Sequence, residues 1–460
     1  MPSKNPNHQR AATAFAVSGE SSPYGKAAAV LLAAMPMLAA VAYGAVDIWA
    51  LIPLTLLTFL LVLLWTVDSF KTGFFPIAWS ALQLPILGLI LVGCIQMLPF
   101  GGRSLDPGLL SVPESSSLTL DLFSTEYFVI RLFLLFVFFT AALTFLKYKR
   151  RAQRIVVAVV IFGSVMAFAG ILQRLASPDA IYGLRQTPQA IPFGPFVNQH
   201  HFAAFMEMTV GLALAMLTGG AIKSDRKALV FIALGLMMIA VIMTGSRGGM
   251  IGMAATFVVV LAAGSSKSSL TSSAAGNSRL FKTAVGALLL AAAAGTAIFL
   301  SGADPLLRGL GIENKEVDLT GGRLHFWSIA LKIFFDNPIL GAGFDAFGVA
   351  FTKYDSWHGY FRVEQAHNDY LQMLADGGIL AFSCIAAFIF LLLRHGAKVI
   401  RSSLSPERRT IAVGALAGCF GILVHSFFDF PLRTVSNSYF FLLLAALATV
   451  EFWDESKAVE

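Results

Sequence analysis

The chain has 460 residues, 57% of them hydrophobic and 13% charged, with a net charge of +7 and a mean hydropathy of +0.75. A soluble chain of this length needs about 25% charged residues to cover its surface, so an ordinary soluble globule is excluded. The basic surplus lies in short clusters between apolar runs, not on an aromatic-studded polar face, which excludes a nucleic-acid reader.

Residues 1–26 are polar and read as a cytoplasmic tail. Apolar runs long enough to cross a ~30 Å hydrocarbon layer then follow. They fall at roughly 27–43, 48–67, 76–98, 127–146, 153–173, 199–220, 227–245, 249–264 and 281–300. Three more come at roughly 369–393, 410–428 and 435–453, before a short cytoplasmic tail at 454–460. The runs do not alternate apolar with polar, so they are helices and not barrel strands. Small residues surround Ala45, as a signal-peptide cleavage site would require. The polar stretch before the first run is long and many runs follow, so that run is expected to be an uncleaved helix.

The predicted fold class is therefore all-α: a polytopic transmembrane bundle of about twelve spans. Residues 27–300 hold nine spans and 367–453 the last three. Between them, residues 301–366 are too apolar for a disordered loop and predict a partly helical cap. Residues 265–278, rich in Ser, Gly and Ala, read as a cytoplasmic linker. Lysines and arginines concentrate in alternate connections, such as 147–154 and 394–409, which places both termini in the cytoplasm and the cap on the outer side. No internal repeat is evident, nor the paired, Gly/Pro-broken helices of inverted-repeat transporters. The three cysteines, Cys94, Cys384 and Cys419, sit inside apolar runs without metal-ligand spacing.

The outer arginines and histidines carry the chemistry. Arg103, Arg131, Arg174, Arg185, Arg247 and Arg433 stand against the positive-inside bias. Arg247, in MTGSRGGM, follows a tight turn and opens a helix, where backbone N–H groups, the helix dipole and a guanidinium together make an anion site. Snorkelling to headgroups is the plainer alternative. Arg323, after Gly321 and Gly322, opens an amphipathic cap helix whose polar stripe is His325, Ser328, Lys332 and Asp336. It falls on the opposite, apolar side and needs an anionic partner: a phosphate, or a carboxylate such as Asp304 or Asp318.

His367 sits where the cap re-enters the membrane, ahead of a helix whose polar face carries Asn368, Asp369, Gln372 and Asp376. That face implies a water-filled cavity, where His367 could take a proton from a hydroxyl or serve only as a helix cap. Asn198 and His201, beside His200, could hydrogen-bond sugar hydroxyls or a cavity water, or pack at the interface. His425 and Asp429 are spaced to pair on one helix face beneath Arg433. The cap aromatics Trp327, Tyr354, Trp357, Tyr360 and Phe361 could stack on sugars or mark the membrane interface.

Five segments resemble, in order, the O-antigen ligase and O-antigen polymerase superfamily of bacterial membrane glycosyltransferases. They are GPFVNQHHFAAF (194–205), MTGSRGGMIGM (243–253), GGRLHFWSIALKIFFDNPILGAGFDAF (321–347), AHNDYLQMLADGGILAF (366–382) and HSFFDFPLR (425–433). The resemblance implies a fold of the C-type glycosyltransferase kind and a glycan donor on undecaprenyl diphosphate. It implies an inverting reaction without metal, cofactor or nucleotide sugar. Its two arginines correspond to Arg247 and Arg323 and its loop histidine to His367, as diphosphate clamps and base. Arg185 and Arg433 would extend the clamp; Asn198, His201, Asn368 and Asp369 would contact substrate. The acceptor is another lipid-linked repeat in a polymerase or lipid A core in a ligase. The long amino-terminal third looks like branches found with exopolysaccharide genes, which favours polymerisation. Two other classes compete: a transporter or flippase of the same lipid, and a scaffold for polysaccharide-assembly proteins. The transporter would place ionisable residues near the midplane; the scaffold leaves the arginines without a purpose.

Overall fold

The computed structural model describes residues 22–101, 116–188, 190–219, 222–265, 322–356 and 363–452. In these the regular elements are helices apart from one short hairpin, β1 (Ala180–Ile181) with β2 (Arg185–Gln186). The helices are α1 (Pro23–Val41), α2 (Leu51–Thr72), α3 (Gln83–Gln96), α4 (Leu122–Phe145), α5 (Lys149–Ala176), α6 (Gln199–Thr218), α7 (Ser224–Met243) and α8 (Arg247–Ser265). After the undescribed stretch come α9 (Arg323–Asp336), α10 (Phe347–Phe351), α11 (Asp369–Ser402), α12 (Pro406–His425) and α13 (Val435–Thr449).

Among the described residues, eight helices are long and apolar enough to cross a membrane, and α3, α8 and α13 are shorter apolar helices. The expected span at 281–300, the linker at 265–278 but for its first residue, both tails apart from residues 22–26, and cap residues 301–321 lie outside the described residues. The expected third span is shortened to α3. Gly73, in the left-handed conformation at φ 70°, closes α2, and the chain stays non-helical until Gln83.

α6, α12 and α13 form the centre and are buried on nearly every face. α2 lies at the edge and presents Ile52, Leu56 and Phe59 outward, as a lipid-facing helix should. Glycines let the central helices touch backbone to backbone. A Cβ at Gly211 of α6 would stand 2.7 Å from the Gly414 carbonyl and 2.8 Å from the Gly418 nitrogen of α12. This is the small-residue packing by which membrane helices gain contact without a hydrophobic drive.

Two departures from regular helix position the site. α9 and α10 pack Ile329, Ile333, Phe347 and Phe351 into a small second core that reaches Ala375 of α11. α11 itself is broken at Gly378, whose φ 62° and ψ −164° are open essentially to glycine alone. The break lies roughly 13 Å along the helix from Asp369 at 1.5 Å per residue. The segment 337–343 fills it. Ala342 and Gly343 donate to the carbonyls of Ala375 and Asp376 at 2.8 and 2.9 Å, and Ile379 donates to Pro338 at 2.9 Å. Gln96 at the end of α3 adds its amide to the Leu340 and Asp376 carbonyls at 2.5 and 2.9 Å. The backbone groups freed by the break are thus satisfied by protein, as burial demands. The sequence reading placed no broken helix here. Gly377–Gly378 was the available signal.

Candidate active site

Four helices, α6, α8, α9 and α11, begin at one end of the bundle, around the buried turn that follows α12. Their caps are local and explicit. Asn198 accepts from the His200 N–H at 2.8 Å, Ser246 from Gly249 at 3.1 Å, and Asn368 from Tyr370 and Leu371 at 3.0 and 3.1 Å. α9 starts after Gly322 at φ 79°. Each helix presents the positive end of its dipole at this end.

Asp429 is where these elements meet. Its side chain is 1% exposed. Oδ1 accepts from the Phe430 N–H at 2.9 Å and lies 3.2 Å from Nδ1 of His367. Oδ2 faces the Arg323 guanidinium at 3.7 Å and Nδ1 of His200 at 3.8 Å. Neither distance is a hydrogen bond, so that oxygen is held by charge alone among the described residues. Burial would push this carboxyl's pKa up. The neighbouring charge of His200, and the hydrogen bond and charge of His367, outweigh that and hold it well below the ordinary carboxylate range.

A carboxylate at Nδ1 selects the imidazole tautomer with hydrogen on that atom and leaves Nε2 a lone pair. The His367 ring lies between Phe326, near-parallel with centroids 6.1 Å apart, and Phe430, edge-on at 4.9 Å. Its backbone has φ 52°, uncommon for a residue with a Cβ. The side chain remains about one-third exposed, at 31%. This is a histidine fixed in tautomer, plane and direction, with an open edge.

Arg247 joins the group through its neighbour. Ser246 Oγ lies 2.8 Å from Nδ1 of His200, the same nitrogen that faces Asp429. Arg247 follows as the first residue of α8 and is half-buried. Arg323, His367 and the Arg247 turn are therefore gathered around Asp429 and His200. The anionic partner that Arg323 required is Asp429; Asp304 and Asp318 lie outside the described residues.

The other expected site residues are engaged elsewhere. Arg185 makes a two-pronged pair with Asp47 at 2.6 and 2.9 Å and stacks over Tyr43 at 4.7 Å. That hydrogen-bonded pair raises its pKa. Arg433, in a 3₁₀ turn, bridges Asp345 and Asp376, the latter at 2.5 Å, and its carbonyl accepts from Arg131 at 2.6 Å. Burial works against the Arg433 charge, but Asp376, Asp345 and Asp369 more than offset it, and its pKa is raised. Asp369 accepts from Ser426 Oγ at 2.9 Å and from the Leu432 N–H at 3.3 Å. Asn368, besides capping α11, donates to the Phe427 carbonyl at 3.1 Å. His201 is buried edge-on against Phe430 at 4.9 Å, while its neighbour His200 faces the cluster. Of the cap aromatics, Trp357, Tyr360 and Phe361 lie outside the described residues.

The expected pairing of His425 with Asp429 is a correction. α12 ends at His425, so the two no longer share a helix face, and Nδ1 of His425 lies 3.2 Å from Oε1 of Glu207 instead. The sequence reading missed Asp429 as the centre and Glu207 altogether. For Glu207 the signal was a lone carboxylate inside an apolar span. For Asp429 there was none beyond its place in HSFFDFPLR.

Residues 232–386 match a family model described as O-antigen ligase. The match bears out the resemblance to the O-antigen ligase and polymerase superfamily and supports a function of that general type, in a glycosyltransferase-type membrane enzyme. Arg247, Arg323 and His367 fall inside the matched segment; His200 and Asp429 fall outside it. No curated protein matches the chain.

Proposed function

We propose that this protein is an inner-membrane glycosyltransferase. It moves a glycan from undecaprenyl diphosphate to an acceptor hydroxyl at the periplasmic face, and both termini are cytoplasmic. The observation that carries the reading is the Asp429 cluster: one buried carboxylate joining His367, Arg323 and His200 where four helix N-termini begin.

In this reading the donor's diphosphate lies against the N–H groups and dipoles of those helices, with Arg247 and Arg323 as its clamps. Arg323 is loosely held at 3.7 Å from Asp429, so a phosphate can draw it away without breaking a tight bond. His367, directed by Asp429, takes the acceptor hydroxyl's proton at Nε2 as the oxygen attacks the anomeric carbon. The C–O bond to diphosphate breaks on the opposite face and the configuration inverts. The guanidinium groups meet the charge growing on the departing diphosphate. Asn368 and Asp369 support the reading as the residues that hold His367's segment to the turn after α12, and Asn198 as the cap that directs His200. Arg185 and Arg433, each with its own carboxylate, would extend the clamp only by exchanging that partner for phosphate. The acceptor is proposed to be a second lipid-linked repeat, giving polymer, with lipid A core as the alternative.

The test is Arg247→Ala and His367→Ala, expressed at wild-type level in membranes of cells that depend on this chain. Polymer or ligated glycan is expected to disappear in both. Normal product from either variant removes that residue from the mechanism.

A further inference from the structure

Glu207 and His425 form a second polar pair, and the mechanism above gives it no task. Both side chains are 0% exposed. Glu207 lies roughly 12 Å along α6 from its first residue, at 1.5 Å per residue, and residues 202–218 around it are otherwise apolar but for two threonines. His425 closes α12. Side chains lean toward the start of their own helix, so Glu207 leans toward the site end and His425 away from it, and the two meet at 3.2 Å. A buried carboxylate within a membrane span is costly and is kept for a purpose.

What the pair touches is the opening of α8. A Cβ at Gly248, the residue after Arg247, would stand 2.7 Å from Nε2 of His425 and closer still to its Cδ2. At Gly252, one turn on, it would collide with Oε2 of Glu207 and lie 2.9 Å from Cδ and from the Gly421 carbonyl. Two of the glycines in SRGGMIG thus make room for this pair. The imidazole and the carboxylate lie against successive turns of α8 on the face next to Arg247. Oε2 and Nε2, the atoms pressed on α8, have no hydrogen bond among the described residues.

We propose that the Glu207–His425 pair is a positioning device for Arg247. It fixes the height and rotation of the first two turns of α8, and with them the direction of the guanidinium that meets the donor's diphosphate. The inference rests on the function proposed above, and its test separates the two. The probe is undecaprenyl diphosphate, titrated onto the purified full-length protein in nanodiscs. Arg247→Ala is expected to weaken binding about ten- to a hundredfold, the range of one charge-assisted hydrogen bond. Glu207→Ala is expected to weaken it comparably, and the double variant no further. Glu207→Gln, whose amide keeps the contact with His425, is expected to recover most of the affinity. A merely structural role predicts losses that multiply in the double variant, and that result overturns the inference. So does unchanged affinity in Glu207→Ala while Arg247→Ala binds weakly. If Glu207→Ala does not reach the membrane, His425→Leu reads the same coupling with the same two outcomes. Equal binding by wild type and Arg247→Ala overturns the functional reading, and the inference with it.

Discussion

Asp429 gives the site its chemistry through what surrounds it. Because its pKa is depressed, its charge is fully present above the ordinary carboxylate value of about 4 and is lost only as pH falls below that. A loss of activity between pH 7 and pH 5 is therefore not Asp429 taking up a proton. Asp429→Asn keeps the shape but no longer dictates the tautomer of His367. Removal of the equivalent charge behind a catalytic imidazole costs up to about 10⁴ in turnover. Glycan transfer in Asp429→Asn is expected to fall at least a hundredfold on that scale, with the protein still inserted. Transfer within a few-fold of wild type would show that the carboxylate does not direct His367. Arg433 is different in kind, because its guanidinium already spans Asp345 and Asp376. Leaving a buried charge without its partner costs about 3–5 kcal/mol. Arg433→Met is expected to lower the thermal stability of the purified protein, and an unchanged melting temperature would contradict the buried-bridge assignment.

The elements explain why these side chains meet. Helices α6, α8 and α11 start at one end because connections of the bundle alternate sides, and the lysine and arginine clusters of the sequence already imply that alternation. Tight capping at Asn198, Ser246 and Asn368 then sets each entry. The break in α11 does the remaining work. It opens a seat for residues 337–343, which fixes where the chain leaves α9 and where Asp345 meets Arg433. A side chain at Gly378 would collide with the Ile339 carbonyl and lie 2.7 Å from the Gly341 nitrogen. Gly378→Ala also forces a positive φ on alanine. It is expected to reduce both membrane-inserted protein and melting temperature, and wild-type values for both would contradict the broken helix.

At the scale of the whole molecule, the sequence disclosed the membrane bundle because hydrophobic length is a physical requirement that any span must meet. The helical starts at Arg247 and Arg323, and the buried side of the second helix, were also legible, since glycine turns and a 3.6-residue period are local signals. Asp429 and the Glu207–His425 pair were not legible. Their partners come from segments tens to hundreds of residues away, and the ordinary spacing rule pointed His425 to the wrong carboxylate. The shortened third span and the broken α11 were lost for a related reason: a helix end or a break is decided by contacts with other segments, not by average hydropathy. The matched family segment holds the two arginines and the histidine but stops short of the carboxylate that joins two of them.

In the proposed reaction this cluster grips a lipid-borne diphosphate while its saccharide is passed to a hydroxyl. The most direct measurement is purified protein in nanodiscs with undecaprenyl-diphosphate-linked repeat units, with and without lipid A core, following free undecaprenyl diphosphate and new glycosidic bonds together. One diphosphate released per bond formed, longer chains without core, and neither product from His367→Ala are expected; core-dependent product would make the enzyme a ligase. Passage of the lipid across the bilayer with no bond made and no diphosphate freed would contradict the proposed reaction.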